Sequence, residues 1–278
     1  MLEPMGKAAA VPVTPAKPAG VTAMVLVSVS AVPLIALQQF WIGLGVLLAG
    51  LGLALAVDRV LIRSLAPVGI GLVLLGATPL EADLSNLGML RFTLILGAAV
   101  IVPTLLARRI VAPDAITFPV RGTPWTTSRW VYLVAVIVIG YLVLPFYFIG
   151  SGTYHNWPAV SGANEIARLF IGVNAVGIWD ELFFICIVFT LFRRHVPLWA
   201  ANLLQATIFV SFLWELGYRA WGPALTIPFA LVQGWIFATT ASLGYVVTVH
   251  LIFDAIIFMI LVHAHNPALF DIFITIPG

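Results

Sequence analysis

The sequence predicts an all-α protein, a polytopic transmembrane helical bundle of about eight or nine membrane spans. Of its 278 residues, 62% are hydrophobic and only 9% are charged, whereas a soluble domain carries roughly 25% charged residues. The apolar residues are grouped in runs of about 20, which is long enough for a helix to cross a hydrocarbon core of about 30 Å. Lipid is therefore the expected solvent for most of the surface.

The apolar runs follow one another with short connections. They fall near 22–39, 41–57, 60–80, 92–107, 130–150, 166–191, 198–216, 222–240 and 242–263. The third run is the weakest because Arg63 and Pro67 interrupt its start. The break at Gln39 and Phe40 makes the first pair either a tight hairpin or a partly re-entrant segment.

Four segments are expected along the chain. Residues 1–20 are rich in Pro and Ala and lack apolar periodicity, so they are expected to form a disordered cytoplasmic tail. Residues 21–129 supply N-terminal transmembrane helices that contain few polar groups. Residues 130–265 supply a transmembrane core that carries the polar residues, and residues 266–278 form a C-terminal tail.

The distribution of basic residues predicts the orientation. With a cytoplasmic N-terminus, the inner loops and helix ends hold Lys7, Lys17, Arg59, Arg63, Arg108, Arg109, Arg121, Arg129, Arg193 and Arg194. The outer ones hold Arg91, Arg168 and Arg219. Ten basic residues on the inner side and three on the outer side agree with the rule that cytoplasmic loops are enriched in Lys and Arg. The sequence therefore predicts an integral, multi-pass membrane protein with its N-terminus in the cytoplasm.

Four carboxylates lie inside apolar runs. They are Asp180, Glu181, Glu215 and Asp254, and the last shares its run with His250. A charged side chain at a helix centre costs about 2.5–3.5 kcal/mol on insertion scales, so such residues usually mark a functional site. Either these acids are paired and hydrated, or they are protonated.

Helix geometry indicates how these groups could meet. His250 and Asp254 are four residues apart and share one helix face. Asp180 and Glu181 point about 100° apart, so both can face one cavity only if that cavity is wide. At about 1.5 Å of rise per residue, the five residues are expected at overlapping depths in the membrane. Glu215 is expected to lie nearest the outer surface.

Composition also excludes several classes of function. A net charge of +2 gives no basis for binding nucleic acid. A single cysteine excludes a disulfide framework and a Cys-rich zinc site. The expected partners are membrane lipid and a membrane-associated peptide or protein substrate.

Three short motifs on the late helices resemble the CPBP family of intramembrane proteases, also called the CAAX prenyl protease and bacteriocin-processing, or Abi, family. The first is Trp179-Asp180-Glu181-Leu182-Phe183-Phe184, the second is Ser211-Phe212-Leu213-Trp214-Glu215, and the third is His250-Leu251-Ile252-Phe253-Asp254. The family has Glu-Glu-x-x-x-Arg, then Phe-x-x-x-His, then His-x-x-x-Asn or Asp. The resemblance covers about residues 165–260 and implies that residues 130–265 form a CPBP-like core.

The chain departs from the family pattern at several positions. Asp180 shortens the first glutamate, and Ile185 replaces the motif arginine, with Cys186 after it. In the second motif, Glu215 replaces the histidine and Ser211 replaces the phenylalanine. His250 and Asp254 keep the third motif intact. The fold is thus expected to be family-like and the catalytic set altered.

The resemblance implies an endopeptidase of the metallo- or glutamate type that hydrolyses a peptide bond with buried carboxylates and a histidine. In this interpretation Glu181 or Asp180 is the general base. His250 is its electrophilic partner, Asp254 orients His250, and Glu215 shares a proton with the first carboxylate. Alternatively, Glu181, Glu215, His250 and Asp254 form a mixed nitrogen and oxygen site for a divalent metal such as zinc. The residues alone do not choose between the two.

Two other functions also fit a buried polar cluster. One is a non-catalytic CPBP-like membrane scaffold, which loss of the motif arginine and histidine would produce. The other is a proton-coupled membrane transporter, which also buries carboxylates and a histidine at mid-depth. The paired broken helices typical of many transporters are not evident in the sequence.

Overall fold

The computed structural model describes residues 15–274. Within that range the chain forms helices joined by turns, and it contains no β-strand. This confirms the predicted all-α class.

The described range contains ten α-helices, α1 to α10 in chain order. They are α1 Pro18–Val29, α2 Phe40–Val57, α3 Arg59–Gly76, α4 Asn86–Ile110, α5 Thr127–Gly150, α6 Ala163–Asp180, α7 Thr190–Arg193, α8 Leu198–Leu216, α9 Pro223–Thr240 and α10 Leu243–His265. Two π-helical segments continue the helices before them, Val32–Ala36 after α1 and Glu181–Phe189 between α6 and α7. A short 3₁₀ turn, Thr153–Asn156, follows α5.

Eight of the described helical segments are long and apolar enough to cross a membrane. They are Pro18–Ala36, Phe40–Val57, Arg59–Gly76, Asn86–Ile110, Thr127–Gly150, Ala163–Arg193, Pro223–Thr240 and Leu243–His265. Helix α8, with 19 residues, is as long as the shorter of these but is not among the eight. It packs against α9, α1 and the π segment after α6. The protein is thus a multi-pass helical bundle within the predicted number of spans.

The first two helices form a tight hairpin. The turn contains Gln38, whose φ is +52°. A Cβ atom on Gly43 would lie 2.5 Å from the backbone nitrogen of Leu34, so only glycine allows this approach of α2 to the preceding segment. The structure therefore favours the hairpin over the partly re-entrant segment.

Loops from distant parts of the chain meet at each end of the bundle. At one end, the connection between α4 and α5 lies across the junction of α9 and α10, where the Thr123 amide donates to the Thr240 carbonyl at 3.0 Å. At the other end, the Asn266 side chain donates to the Val160 carbonyl at 2.6 Å. The loops thus tie together helices that are far apart in sequence.

The chain ends differ in part from the expected tails. Residues 1–14 and 275–278, which belong to the expected tails, lie outside the described part of the chain. Helix α1 begins at Pro18 rather than near residue 22. Residues 266–274 pack onto the bundle, where the Phe273 ring lies 5.7 Å from the Tyr141 ring and is buried.

Candidate active site

The two adjacent acids lie where the longest membrane span changes its helical winding. The α-helical pattern ends at Asp180, and π-helical pairing begins at Glu181. Such π segments are rare and are frequent at functional sites. The Trp179 indole anchors this point by donating to the Leu96 carbonyl at 2.7 Å. Trp179 also stacks on Phe183, with ring centroids 5.3 Å apart.

His250 on α10 lies between the two acids. Its Nδ1 atom is 2.8 Å from Oε1 of Glu181, which is a direct hydrogen bond. Its Nε2 atom is 3.6 Å from Oδ2 of Asp180. The two ring nitrogens of one imidazole therefore each lie near one of the acids. Asp180 and Glu181 can thus join one cluster although their side chains point about 100° apart on the helix.

Asp254 completes the cluster from one helical turn beyond His250. Its Oδ1 atom lies 3.9 Å from Nε2 of His250. The three carboxylates and the imidazole are each at most 5% exposed. The structure thus brings together four of the five residues singled out from the sequence.

Gly177 on α6 provides the space for this arrangement. A Cβ atom at this position would lie 1.8 Å from Oδ2 of Asp254 and 3.2 Å from Cδ2 of His250. Helices α6 and α10 pack against each other here, and only a residue without a side chain lets the carboxylate occupy this position.

Gln233 on α9 belongs to the cluster, although the sequence patterns did not single it out. Its Nε2 donates to Oε1 of Glu181 at 2.7 Å and to the Val246 carbonyl at 3.0 Å. Gln233 and Glu181 are both fully buried. An isolated glutamine in an apolar helix gives no motif, so its role became visible only from the tertiary contact.

Several oxygen atoms of the cluster have no hydrogen-bond partner in the described protein. They are Oδ1 of Asp180, Oε2 of Glu181, Oδ2 of Asp254 and Oε1 of Gln233. Buried polar atoms are nearly always satisfied by protein or by ordered water. The cluster therefore has the capacity to bind water or polar atoms of a substrate.

Glu215 occupies a different environment. Its Oε2 accepts a hydrogen bond from Nη2 of Arg219 at 2.9 Å, in an ion pair one helical turn apart. Among the described contacts, no hydrogen bond or ion pair joins Glu215 to the four clustered residues. The arrangement gives no support to a proton shared between Glu215 and the first carboxylate.

The other departures from the motifs are apolar or locally satisfied. Ile185 and Cys186 are fully buried in the π segment. The Ser211 hydroxyl donates to the Thr207 carbonyl of its own helix at 2.8 Å. None of these three residues faces the carboxylate cluster through a hydrogen bond or an ion pair in the described structure.

Two cavities meet at His250 and Asp254. The first, with a volume of about 280 Å³, is bounded by α4 and α6 and is lined by Asp180. The second, of about 380 Å³, is bounded by α5, α9 and α10. Leu213 and Tyr218 line both cavities together with His250 and Asp254. Glu181 lines neither cavity and lies behind the imidazole.

The described side chains do not fit the metal site considered from the sequence. No group of three or more His, Cys, Asp or Glu residues in the described range is arranged to hold a metal ion. Oε1 of Glu181 is already bonded to His250 and Gln233, and Glu215 is paired elsewhere. Glu181, Glu215, His250 and Asp254 therefore do not converge on one metal position.

Comparison with known proteins locates the same part of the chain. Residues 162–256 match the model of a family described as Type II CAAX prenyl endopeptidase Rce1-like. The match covers about a third of the chain and includes all five buried polar residues. It confirms the resemblance drawn from the three motifs and supports a membrane endopeptidase of the CAAX-protease type. No curated protein and no solved structure gave a significant match.

Proposed function

We propose that this protein, whose residues 162–256 match a family of CAAX prenyl endopeptidases, is an intramembrane endopeptidase that uses His250 as its general base. The observation that carries the proposal is the position of His250, which lies among three buried carboxylates at the junction of two membrane cavities. Its peptide substrate would enter from the membrane, because the walls of both cavities are mostly apolar.

Glu181 has the role of orienting His250. Its carboxylate accepts the Nδ1 proton of the imidazole, and the Gln233 amide holds the same oxygen from the other side. This contact selects the tautomer whose Nε2 lone pair faces the cavities, as a carboxylate does for the histidine of a serine protease triad. Because Glu181 lines neither cavity, the orienting role falls to it rather than to Asp254.

Asp180 and Asp254 hold the attacking water beside Nε2. Their nearest oxygens lie 3.6 and 3.9 Å from Nε2, which is too long for a direct hydrogen bond. A polar contact of that length is often bridged by a water molecule. The unpartnered Oδ1 of Asp180 and Oδ2 of Asp254 provide further acceptors for such a water.

The reaction then needs two proton transfers. Nε2 takes a proton from the water while the water oxygen bonds to the carbonyl carbon, which forms a tetrahedral intermediate. The imidazolium returns that proton to the amide nitrogen as the carbon–nitrogen bond breaks. The products are a carboxylic acid and an amine, and the nearby carboxylates stabilise the transient imidazolium.

The substrate and the orientation are also part of the proposal. The family description suggests a prenylated protein with a CAAX C-terminus, and a membrane-associated peptide of that kind suits the apolar cavities. We place the N-terminus in the cytoplasm on the distribution of basic residues. Membrane lipid is the proposed environment of the outward-facing sides of the eight helices that are long and apolar enough to span a membrane.

The proposal can be tested without knowing the substrate. Membrane fractions would be compared for new protein N-termini in cells that express the wild-type protein or the His250→Ala variant. His155→Ala is the matched control, because His155 lies in the turn after α5 and its ring contacts Tyr154. We expect new termini with the wild-type and control proteins and none with His250→Ala at equal membrane abundance.

Equal cleavage by His250→Ala would refute the proposed mechanism. If even the wild-type protein produced no new terminus, the non-catalytic scaffold would become the better interpretation. The motif changes at Ile185 and Glu215 are the observation that supports this second candidate. A transporter would instead produce substrate-dependent pH or current changes in proteoliposomes.

A further inference from the structure

The loop between α8 and α9 brings a tyrosine to the junction of the two cavities. Helix α8 ends at Leu216, and the next residue, Gly217, has a φ of +131°, a value that favours glycine. A Cβ atom there would lie 2.9 Å from Nε1 of Trp157, so the close approach also requires glycine. The turn redirects the chain, and the next residue, Tyr218, lines both cavities.

Contacts from the connection after α5 and from α5 itself hold this loop in place. The Asn156 side chain donates to the Gly217 carbonyl at 3.0 Å. The Tyr147 hydroxyl donates to the Arg219 carbonyl at 2.7 Å. The Tyr218 ring packs edge-on against Phe148 and Trp157, with ring centroids 5.6 and 5.8 Å apart. The position of Tyr218 is therefore set by both its backbone and its ring.

The Tyr218 hydroxyl is available for a ligand. Tyr218 is half-buried, and its hydroxyl forms no hydrogen bond with another described residue, whereas the fully buried Tyr147 and Tyr245 do form such bonds. His250 and Asp254 share both cavity walls with Tyr218.

The surroundings also keep the phenol protonated. Burial raises the pKa of Tyr218 well above its ordinary value, and the negative charges of Asp254 and Asp180 raise it further. A neutral phenol donates a hydrogen bond and cannot act as a base. Tyr218 thus adds a hydrogen-bond donor to the walls of two cavities whose carboxylate, Asp254, is an acceptor.

We infer that Tyr218 is a further catalytic residue, whose hydroxyl donates a hydrogen bond to the carbonyl oxygen of the scissile peptide as that oxygen becomes negative. The inference rests on the proposed endopeptidase activity. It is supported by the shared cavity wall, the fixed loop and the unpartnered hydroxyl. In the second motif, Glu215 stands in place of the histidine, is paired with Arg219 and supplies no donor to the cluster. Tyr218 would supply that donor instead.

In this step the tyrosine keeps its proton. Water adds to the carbonyl carbon, the electron pair of the C=O bond moves onto oxygen, and the phenol stabilises that charge through its hydrogen bond. When the carbon–nitrogen bond breaks, the pair returns and the carbonyl re-forms. Removing one such oxyanion donor costs about 10²–10³-fold in kcat in a characterised protease.

The test is Tyr218→Phe in purified protein reconstituted in liposomes, with an internally quenched farnesylated CAAX peptide as the probe. We expect kcat to fall about 10²–10³-fold with little change in KM. Binding of the uncleaved peptide, measured in a Glu181→Ala background, should be unchanged. Tyr154→Phe is the matched control, since its ring contacts His155 and His265 rather than the cluster, and its kcat should stay at the wild-type value.

A second measurement separates a donor from a packing group. Replacing Tyr218 with 3,5-difluorotyrosine keeps the ring and its contacts but makes the phenol a stronger donor, so a catalytic donor should change kcat measurably. An unchanged kcat in both Tyr218 variants, or a loss confined to KM, would overturn the inference. If the wild-type protein cleaves the peptide, His250→Ala does not, and Tyr218→Phe does, only the inference fails. If the wild-type protein does not cleave it, this inference falls together with the CAAX-peptide activity.

Discussion

Nδ1 of His250 lies 2.8 Å from Oε1 of Glu181, although the two residues are 69 positions apart in the chain. The contact joins the π segment after α6 to α10 and engages Nδ1, so that Nε2 lies on the side of the cavity-lining Asp180 and Asp254. Both partners are buried, so water does not compete for the bond. It is the feature on which the tautomer of the imidazole, and therefore the proposed mechanism, depends.

Replacing Glu181 with Gln should remove most of the activity. The amide no longer selects the Nδ1–H tautomer, and the comparable change in a serine protease lowers kcat about 10⁴-fold. The measurement is kcat for cleavage of the farnesylated CAAX peptide in liposomes. Glu215→Gln is the matched control, because Glu215 is paired with Arg219, and it should retain kcat within about threefold of wild type. An equal loss in both variants would contradict the assignment of roles.

Replacing Gln233 with Leu should lower kcat about 10- to 100-fold, since a hydrogen bond to a charged group contributes about 1.5–3 kcal/mol. The loss arises because Glu181 is no longer held from its second side. Gln205→Leu provides the control, because Gln205 is equally buried but bonds to Asn202 and the Ala230 carbonyl. The control should lower the thermal unfolding midpoint and leave kcat of the folded protein unchanged. A normal kcat in Gln233→Leu would show that Gln233 has only a structural role.

Replacing Gly177 with Ala should disrupt the cluster directly. The new methyl group would occupy the position of the Asp254 carboxylate, and overpacking of this kind typically costs about 1–3 kcal/mol. We expect at least a tenfold loss of kcat and a lower thermal unfolding midpoint in detergent. Gly172→Ala, on the same helix with nothing within 4 Å of its Cβ position, should change neither. If Gly177→Ala were as active as Gly172→Ala, the close packing of α6 on α10 would not be required.

Activity should not depend on a bound divalent metal. The described side chains provide no group of three or more ligands arranged around one ion, and the proposed steps use only His250 and the carboxylates. Incubation with a chelator should leave cleavage of the peptide unchanged, and elemental analysis should give well under one zinc per chain. Stoichiometric zinc that is lost in His250→Ala would instead establish the alternative metal site.

The two ends of the bundle should face the cytoplasmic and outer sides of the membrane that the distribution of Lys and Arg predicts. In a Cys186→Ser background, a cysteine at Ser128 should react with a membrane-impermeant reagent only after the cytoplasmic side is opened. A cysteine at Ser161, at the opposite end, should react in intact cells. The reverse labelling pattern would invert the proposed orientation and leave the mechanism unaffected.

The helical class and most members of the buried polar cluster were predictable from the sequence. An apolar run of about 20 residues has few structural alternatives in lipid, so the spans could be placed without tertiary information. The cost of charge in lipid likewise marked Asp180, Glu181, His250 and Asp254 as exceptional. That cost does not determine the partner of a buried acid. It is the same for Asp180, which lies in the cluster, and for Glu215, which is paired with Arg219.

The tertiary structure decided which polar groups meet. Glu215 pairs with Arg219, and Gln233 joins the cluster from a helix that carries no motif. Tyr218 reaches the cavities because a glycine turn redirects the loop after α8. Each outcome depends on the rotation of a helix about its axis or on the path of a turn. The rotation of each helix is set by its packing against neighbouring helices. This packing cannot be inferred from the hydropathy of the sequence. The sequence by itself therefore determined a membrane bundle with costly buried acids, and the packing of α6, α8, α9 and α10 decided that one imidazole lies among three of them.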